Sequence, residues 1–328
     1  MEKKDIAVIG GGPSGSSFSL VLLSRLGADV GLRIYDGECP YRKPCGEALL
    51  NLNMEIYDVD PPIAEEIRDF HVAIGGELIA ERHFSSPAWF IIDKQEWVES
   101  MRAEVKKMGG RLICSRVRPT KMISSLVIDA RGPFAEGKRR IPIARAIVEG
   151  KEPFSGVLMD FDPDNVGFYW IFPSKGKALN VGYGSLNVKN PIPFVLSYTK
   201  RKVKDAKIRE ISTSVISLES PRPRHFHSIY AIGEAAGTVF PLTGEGIRPS
   251  VIHSRAFAIK LAEGLGAEEA YMESFRSEPM KRMSRQMELQ EKALSFYHKI
   301  PRYFKKKLIK TLPLFLDRYL RFGELPLP

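Results

Sequence analysis

Gly10, Gly12 and Gly15 stand in the stretch IAVIGGGPSG, between a short apolar run at residues 6–9 and a helix-like segment, Pro13–Leu26. Glycines at this spacing make a tight turn, let a pyrophosphate approach bare backbone, and bring helix against strand, leaving amides aimed at the phosphates. Asp36 ends the next apolar run about 20 residues further on, where a carboxylate can hold ribose hydroxyls. No arginine follows it directly, which favours an adenosine ribose without a 2′-phosphate.

A second glycine cluster, YAIGEAAGTVFPLTGEGIRPSV at residues 230–251, again runs from a buried strand through glycines into a helix. A third stretch, GFYWIFPSKGKALNVGYG at residues 167–184, sets large rings around a proline and then supplies glycines. Strand alternation puts Phe168, Trp170 and Phe172 on one face, with Tyr169 and Ile171 on the other. Only the first set can share a cavity. Rings of this size grip an apolar ligand by area, and Gly182 and Gly184 let the neighbouring strand pass close to it. The plain alternative is an aromatic-packed sheet core.

These segments must be positioned by a chain of 328 residues, long enough for about two domains and an interdomain cleft. With 44% hydrophobic and 27% charged residues it reads as a soluble globular protein. No apolar run reaches the roughly 18 residues of a membrane span, and the N-terminus lacks a signal core, so a cytoplasmic location is expected. Cys39, Cys45 and Cys114 are odd in number and lack CxxC spacing, which argues against a zinc site or a disulfide framework and predicts reduced thiols and no metal.

Half of the net charge of +10 lies in residues 301–328, where seven Lys/Arg face two Asp/Glu. Phe304, Leu308, Leu312, Phe315, Tyr319 and Phe322 form one apolar stripe there, with a kink expected at Pro313. Two readings stay open: a helix docked on its own domain, or one lying on an anionic lipid surface at the inner face of a membrane. No reading motif for nucleic acid accompanies the charge, so none is expected as partner.

The pattern predicts a discontinuous nucleotide-binding domain of Rossmann type over residues 1–68, 94–140 and 225–265. An antiparallel sheet domain for the substrate is expected over 69–93 and 141–224, with a hairpin at 70–84. Basic amphipathic helices fill 266–328. The fold class is thus α/β, interrupted by an antiparallel sheet.

The late segment with Gly233, Glu234, Gly244, Gly246 and Ile247 resembles FAD enzymes of the para-hydroxybenzoate hydroxylase type, in which strand-GD-AAG-xxx-P-xx-G-x-G-helix recurs; Glu234 here replaces Asp. CPYRKPCGEALL at residues 39–50, ending in Cys45-Gly46-Glu47, and the aromatic segment, with Trp170, Phe172, Pro173, Gly182 and Gly184 at the family's spacing, resemble the geranylgeranyl reductase branch. That resemblance implies FAD as cofactor, contacted by Ser14, Asp36, Arg42, Cys45, Gly46, Ala48, Glu234, Gly246 and Ile247. Lys94 takes the place of a family arginine and keeps its charge. It also implies that the ring segment, Phe168 to Pro173, lines a cavity for an isoprenoid chain of an archaeal-type glycerolipid, a prenyl diphosphate or a quinone.

The reaction implied is hydride delivery from reduced FAD to one alkene carbon and protonation of the other. Cys45 is the candidate for the proton donor, because a thiol among apolar groups stays protonated at neutral pH; the alternative is a small buried residue beside the flavin. No second glycine fingerprint appears, so electrons come from NAD(P)H docking transiently, from ferredoxin or from a membrane donor. An oxygen-using hydroxylase or halogenase and a non-catalytic flavin- or lipid-binding relative remain the competing readings.

Overall fold

The glycine turn joins the strand Lys4–Ile9 to the helix Pro13–Leu26. Gly10 has φ +105°, and a Cβ there would fall 2.3 Å from the Ala130 carbonyl oxygen, so only glycine makes this turn. The computed structural model describes residues 4–138, 140–309 and 316–322.

Lys4–Ile9 is central in a six-stranded sheet. Val30–Asp36 and Leu126–Asp129 flank it in parallel, Arg111–Cys114 lies beyond the first and Ile229–Ala231 beyond the second. The last of these returns from far along the chain to complete the sheet. Ile6, Val8, Leu32, Ile34 and Ile128 bury one face with Phe18, Leu22, Trp97 and Phe257 from the covering helices. Buried on both sides, such strands read as continuous apolar runs rather than alternating ones.

The second sheet has seven strands, in the order Lys204–Ile216, Ile141–Lys151, Ala178–Ser185, Gly167–Ser174, Val157–Asp162, Asp69–Ile74, Glu77–His83. Its pairs are antiparallel except Val157–Asp162 with Asp69–Ile74. A three-stranded sheet of Ala48–Leu50, Trp89–Ile92 and Ile63–Ile67 draws on both stretches that the sequence assigns to different domains. Its Leu50, Ile67, Trp89 and Ile91 share a core with Phe70, Trp170 and Phe172 of the large sheet. The opposite face of the large sheet carries a helix, Ile192–Lys202, inside a region read only as strands. There Tyr169 stacks between Tyr183 and Tyr198, at centroid distances of 4.2 and 4.1 Å, and the Tyr198 hydroxyl donates to Asp160.

Cys39 and Cys114, expected as reduced thiols, are joined in a disulfide. Asp36 and Cys114 pair across adjacent parallel strands, which brings the turn carrying Cys39 within 5.9 Å of Cys114, Cα to Cα. The contact spans 75 residues, so spacing along the chain could not reveal it. Cys45 alone remains a free thiol.

The C-terminal stripe divides. Leu316–Phe322 docks on its own chain: Leu320 is buried, its carbonyl accepts from the Trp89 indole, and Arg321 lies 4.5 Å from the centre of the Phe84 ring. The helix Arg302–Ile309 instead presents Tyr303, Phe304 and Leu308 outward, 74%, 56% and 45% exposed. Leu312, Pro313 and Phe315 lie outside the described residues. No helix among the described residues is long and apolar enough to cross a membrane.

His253, fully buried on the helix Ile247–Ala262, accepts the Gly233 amide at Nδ1, and burial alone pushes its pKa down to about 3. Its folded pKa is depressed, so its contribution to stability is complete above the unfolded value near 6.5 and is lost as pH falls towards 3. At pH 4 the loss from this one group is about 3 kcal/mol. Denaturant melts from pH 7 to 4 are therefore expected to show a steeper acid decline for the native chain than for His253→Leu; equal slopes would refute the assignment.

Candidate active site

A cleft of about 510 Å³ opens over the carboxyl ends of the parallel strands. Gly10, Gly12, Ser14, Asp36, Lys94, Glu234, Gly244, Gly246 and Ile247 line it. Two helix N-termini face it, at Gly12 and Gly246, and neither has a side-chain cap or an acid in its first turn. The Ser14 hydroxyl is buried there without a partner. Free amides, an orphan hydroxyl and a bare glycine turn are what a dinucleotide phosphate needs, so the residues present fit FAD.

Asp36 is held in place rather than free to turn. One carboxylate oxygen accepts from the Gly11 amide at 2.7 Å and from Arg102, the other from the Glu38 amide at 2.9 Å. Arg102 is 1% exposed and also donates to the Gly11 and Glu38 carbonyls, each at 2.9 Å, bracing turn and carboxylate together. Sequence reading missed it, because an arginine on the helix Lys94–Lys107 carries no local mark of its partners. Lys94 opens that helix, and its ammonium donates to the Lys43 carbonyl at 2.6 Å. Arg42, expected at the cofactor, is exposed and lines neither cavity. Lys43 takes its place at the wall, in a 2.8 Å ion pair with Glu234. The other Glu234 oxygen accepts from the Ser217 amide at 2.8 Å, so the longer acid pins two loops. Gly15 and Gly233 stand behind the wall: a Cβ on Gly15 would lie 1.9 Å from the Gly10 carbonyl oxygen, and one on Gly233 2.5 Å from the Ser14 hydroxyl.

A second cavity, of about 480 Å³, adjoins the first and is apolar. Phe168, Trp170, Phe172, Gly184, Gly46 and Ala48 line it, with Trp89, Ile143 and Met159; Tyr297 and Leu308 of the C-terminal helices close one side. Pro173 and Gly182 lie outside the lining. Gly182 serves it from beneath: the Trp170 indole lies flat across it, and a Cβ would fall 1.9 Å from the ring. Within the described residues, no lysine or arginine lines this cavity, and its acids are Glu47, Asp162 and Glu245.

Cys45 lines both cavities, as do Ile216, Gly244, Gly246 and Ile247. These five residues form the border that the two cavities share. The Glu47 amide donates to the Cys45 sulfur at 3.2 Å, and the Cys45 carbonyl accepts from Asn180 at 2.8 Å and Arg145 at 3.2 Å. Glu47, with φ +61°, pairs with Arg145 at 3.3 Å; burial raises its carboxyl above the ordinary range against the pull of that guanidinium.

The chain is 24% identical to a digeranylgeranylglycerophospholipid reductase of Thermoplasma volcanium over 308 residues, covering 77% of this chain and 76% of the relative. It is 23% identical to a geranylgeranyl diphosphate reductase of Synechocystis over 299 residues, covering 74% and 71%. Its sequence is thus similar to proteins named as geranylgeranyl reductases. No family model matches it. A crystal structure of a geranylgeranyl bacteriochlorophyll reductase-like protein from Thermoplasma acidophilum superposes with a TM-score of 0.78 over 95% of this chain and 92% of that one, at 17% identity. The fold extends to the flavin-dependent brominase Bmp2, with a TM-score of 0.64 at 14% identity over 97% and 92%. The fold is therefore shared with that reductase-like protein and that brominase alike.

Proposed function

We propose that the protein is an FAD-dependent reductase that saturates carbon–carbon double bonds of an isoprenoid chain carried by a membrane lipid, a prenyl diphosphate or a quinone. The observation that carries this reading is the position of Cys45, on the border shared by the cleft at the glycine turn and the apolar cavity. The sequence relatives, both named as reductases of geranylgeranyl compounds, support it over the oxygenase reading that the fold alone would allow.

When bound, FAD supplies the hydride that adds to one alkene carbon. The other carbon takes a proton, which Cys45 holds at its sulfur; apolar walls keep water from competing for it. Phe168, Trp170 and Phe172 grip the chain by area, and among the described residues the apolar lining offers an anionic headgroup no lysine or arginine to pair with. The tail enters while the headgroup stays at the rim. The electrons come from an external donor of the NAD(P)H or ferredoxin class.

Purification tests the reading directly. The protein is expected to be yellow with bound FAD and to carry an isoprenoid lipid identifiable by mass. A colourless preparation that takes up no FAD would remove its basis. Cys45→Ala, with FAD fully bound and reduced beforehand, is expected to slow single-turnover saturation by about 100-fold or more, the usual worth of a positioned acid. An unchanged rate would take Cys45 out of the chemistry.

Phe296, Tyr303, Phe304 and Leu308 are exposed close to where Tyr297 and Leu308 close the cavity, in a segment rich in lysine. This rim is our candidate for a peripheral contact with anionic lipid. Sedimentation with anionic vesicles and not with neutral ones is the expected result, abolished by Tyr303→Asp with Phe304→Asp; equal sedimentation of that variant would refute it.

A further inference from the structure

We propose that Asn180, aimed by the Trp170 indole, is the positioning residue that fixes Cys45 on the border between the two cavities. Residues 37–47 form no helix or strand, so no ladder holds the segment that carries the thiol. Apart from the Ile92 amide, which donates to the Glu47 carbonyl at the end of the segment, its hold comes from side chains. The Asn180 amide donates to the Cys45 carbonyl at 2.8 Å from the strand Ala178–Ser185. Asn180 is fully buried, and its own carbonyl oxygen accepts from the Trp170 indole N–H at 3.0 Å.

That bond settles which way the amide faces. The side-chain oxygen is bound to a group that can only donate, so the NH₂ must turn towards Cys45. Register makes the chain of contacts feasible. Gly182 pairs with Trp170 on one neighbouring strand and with Arg145 on the other, so both side chains share the cavity face, and Asn180 is two residues along from Gly182 on that face. Because Gly182 has no side chain, the indole lies flat over it and its N–H reaches Asn180. Arg145 adds a second grip, on the Cys45 carbonyl and the Glu47 carboxylate.

With the carbonyl held, the segment turns back on itself so that the Glu47 amide meets the Cys45 sulfur at 3.2 Å, with Glu47 in the left-handed region. A residue held at such a φ persists only where its surroundings over-determine it, and Asn180, Arg145 and the Ile92 amide on the Glu47 carbonyl are those surroundings. Trp170 thus has two tasks. Its ring walls the cavity, and its polar edge orders the thiol, so the wall that meets the isoprenoid chain and the group that protonates it are one connected unit. The role in turnover rests on the function proposed above; the placement of the thiol does not.

The test reads placement through the thiol itself. While the Cys39–Cys114 disulfide stands, Cys45 is the one free cysteine, so iodoacetamide uptake by the full-length protein without reductant reports on it alone, with Cys45→Ser as the blank. Asn180→Leu keeps the shape and removes the donor; Trp170→Phe keeps an aromatic wall and removes the N–H. Both are expected to speed alkylation roughly threefold to tenfold on the alkaline plateau, where the thiol is fully ionised, the worth of one buried hydrogen bond. Both are also expected to raise the pH midpoint of the reaction by about 0.5 to 1 unit, because the Glu47 amide no longer favours the thiolate. General loosening would raise the rate without moving the midpoint. A midpoint within about 0.2 of the native value, in either variant that still melts cooperatively, would overturn the proposal. Since the measurement needs no turnover, it can fail while the reductase reading stands, and the reverse.

Discussion

Gly15→Ala is expected to abolish FAD uptake. The new Cβ would lie 1.9 Å from the Gly10 carbonyl oxygen and 3.2 Å from the Ala130 Cβ, and the first of these is backbone that cannot swing away. Either the helix Pro13–Leu26 lifts off the sheet or the glycine turn opens. In both cases the uncapped amides at its start no longer converge on one phosphate position. The strain of such overpacking is about 1–3 kcal/mol, survivable for the fold. The binding site is less forgiving, since Gly11 also anchors Asp36 and Arg102. Titration with FAD, followed by quenching of its fluorescence, is expected to show affinity weakened by about 100-fold or more while the protein still melts cooperatively. Affinity within threefold of the native chain would mean that the cleft does not hold a dinucleotide in this way.

Gly182→Ala is expected to stop turnover while leaving the cofactor in place. Its Cβ would coincide with the Trp170 indole, 1.9 Å from one ring carbon and 2.2 Å from another. The indole must tip into the apolar cavity, which narrows it and breaks the bond to Asn180. A displacement of this size at a reacting centre costs on the order of 100-fold in rate. The change lies outside the lining of the cofactor cleft, so the visible spectrum of bound flavin should hardly change. Loss of alkene saturation with a native flavin spectrum is the expected pair of results; native turnover would show that the indole does not border the reacting chain.

The features legible in the sequence are those whose physics is local. The glycine turn at residues 10–15 had to follow a strand and open a helix, and alternation alone predicted that Phe168, Trp170 and Phe172 would share a face apart from Tyr169 and Ile171. The structure places both as the spacing required. What escaped is long-range. Arg102, Arg145 and Asn180 act on backbone 91, 100 and 135 residues away, and nothing in their own neighbourhoods marks them. The Cys39–Cys114 disulfide depends on the pairing of two strands, which an unpaired count of three cysteines concealed. Arg42 and Lys43 are neighbours in a segment without regular structure, so which of them faces the cleft could not be read from periodicity. The helix Ile192–Lys202 hid inside a strand-rich stretch because its buried face is short, only Val195, Tyr198 and Thr199.

Glu234 illustrates a middle case. Its place in the motif was visible, but its extra methylene reaches Lys43 and the Ser217 amide, so it ties the Cys45 segment to the cleft. The same segment is tied to the substrate sheet by Asn180 and Arg145. Cys45 is thus located by both halves of the site at once, which the proton-donor role proposed for it requires.

The central claim is most directly tested by mixing anaerobically reduced protein with a geranylgeranyl lipid and following flavin absorbance and lipid mass together. Recovery of the oxidised flavin spectrum in step with a gain of two hydrogens per double bond is the predicted result. Reduced flavin that persists beside an unchanged lipid would contradict the account.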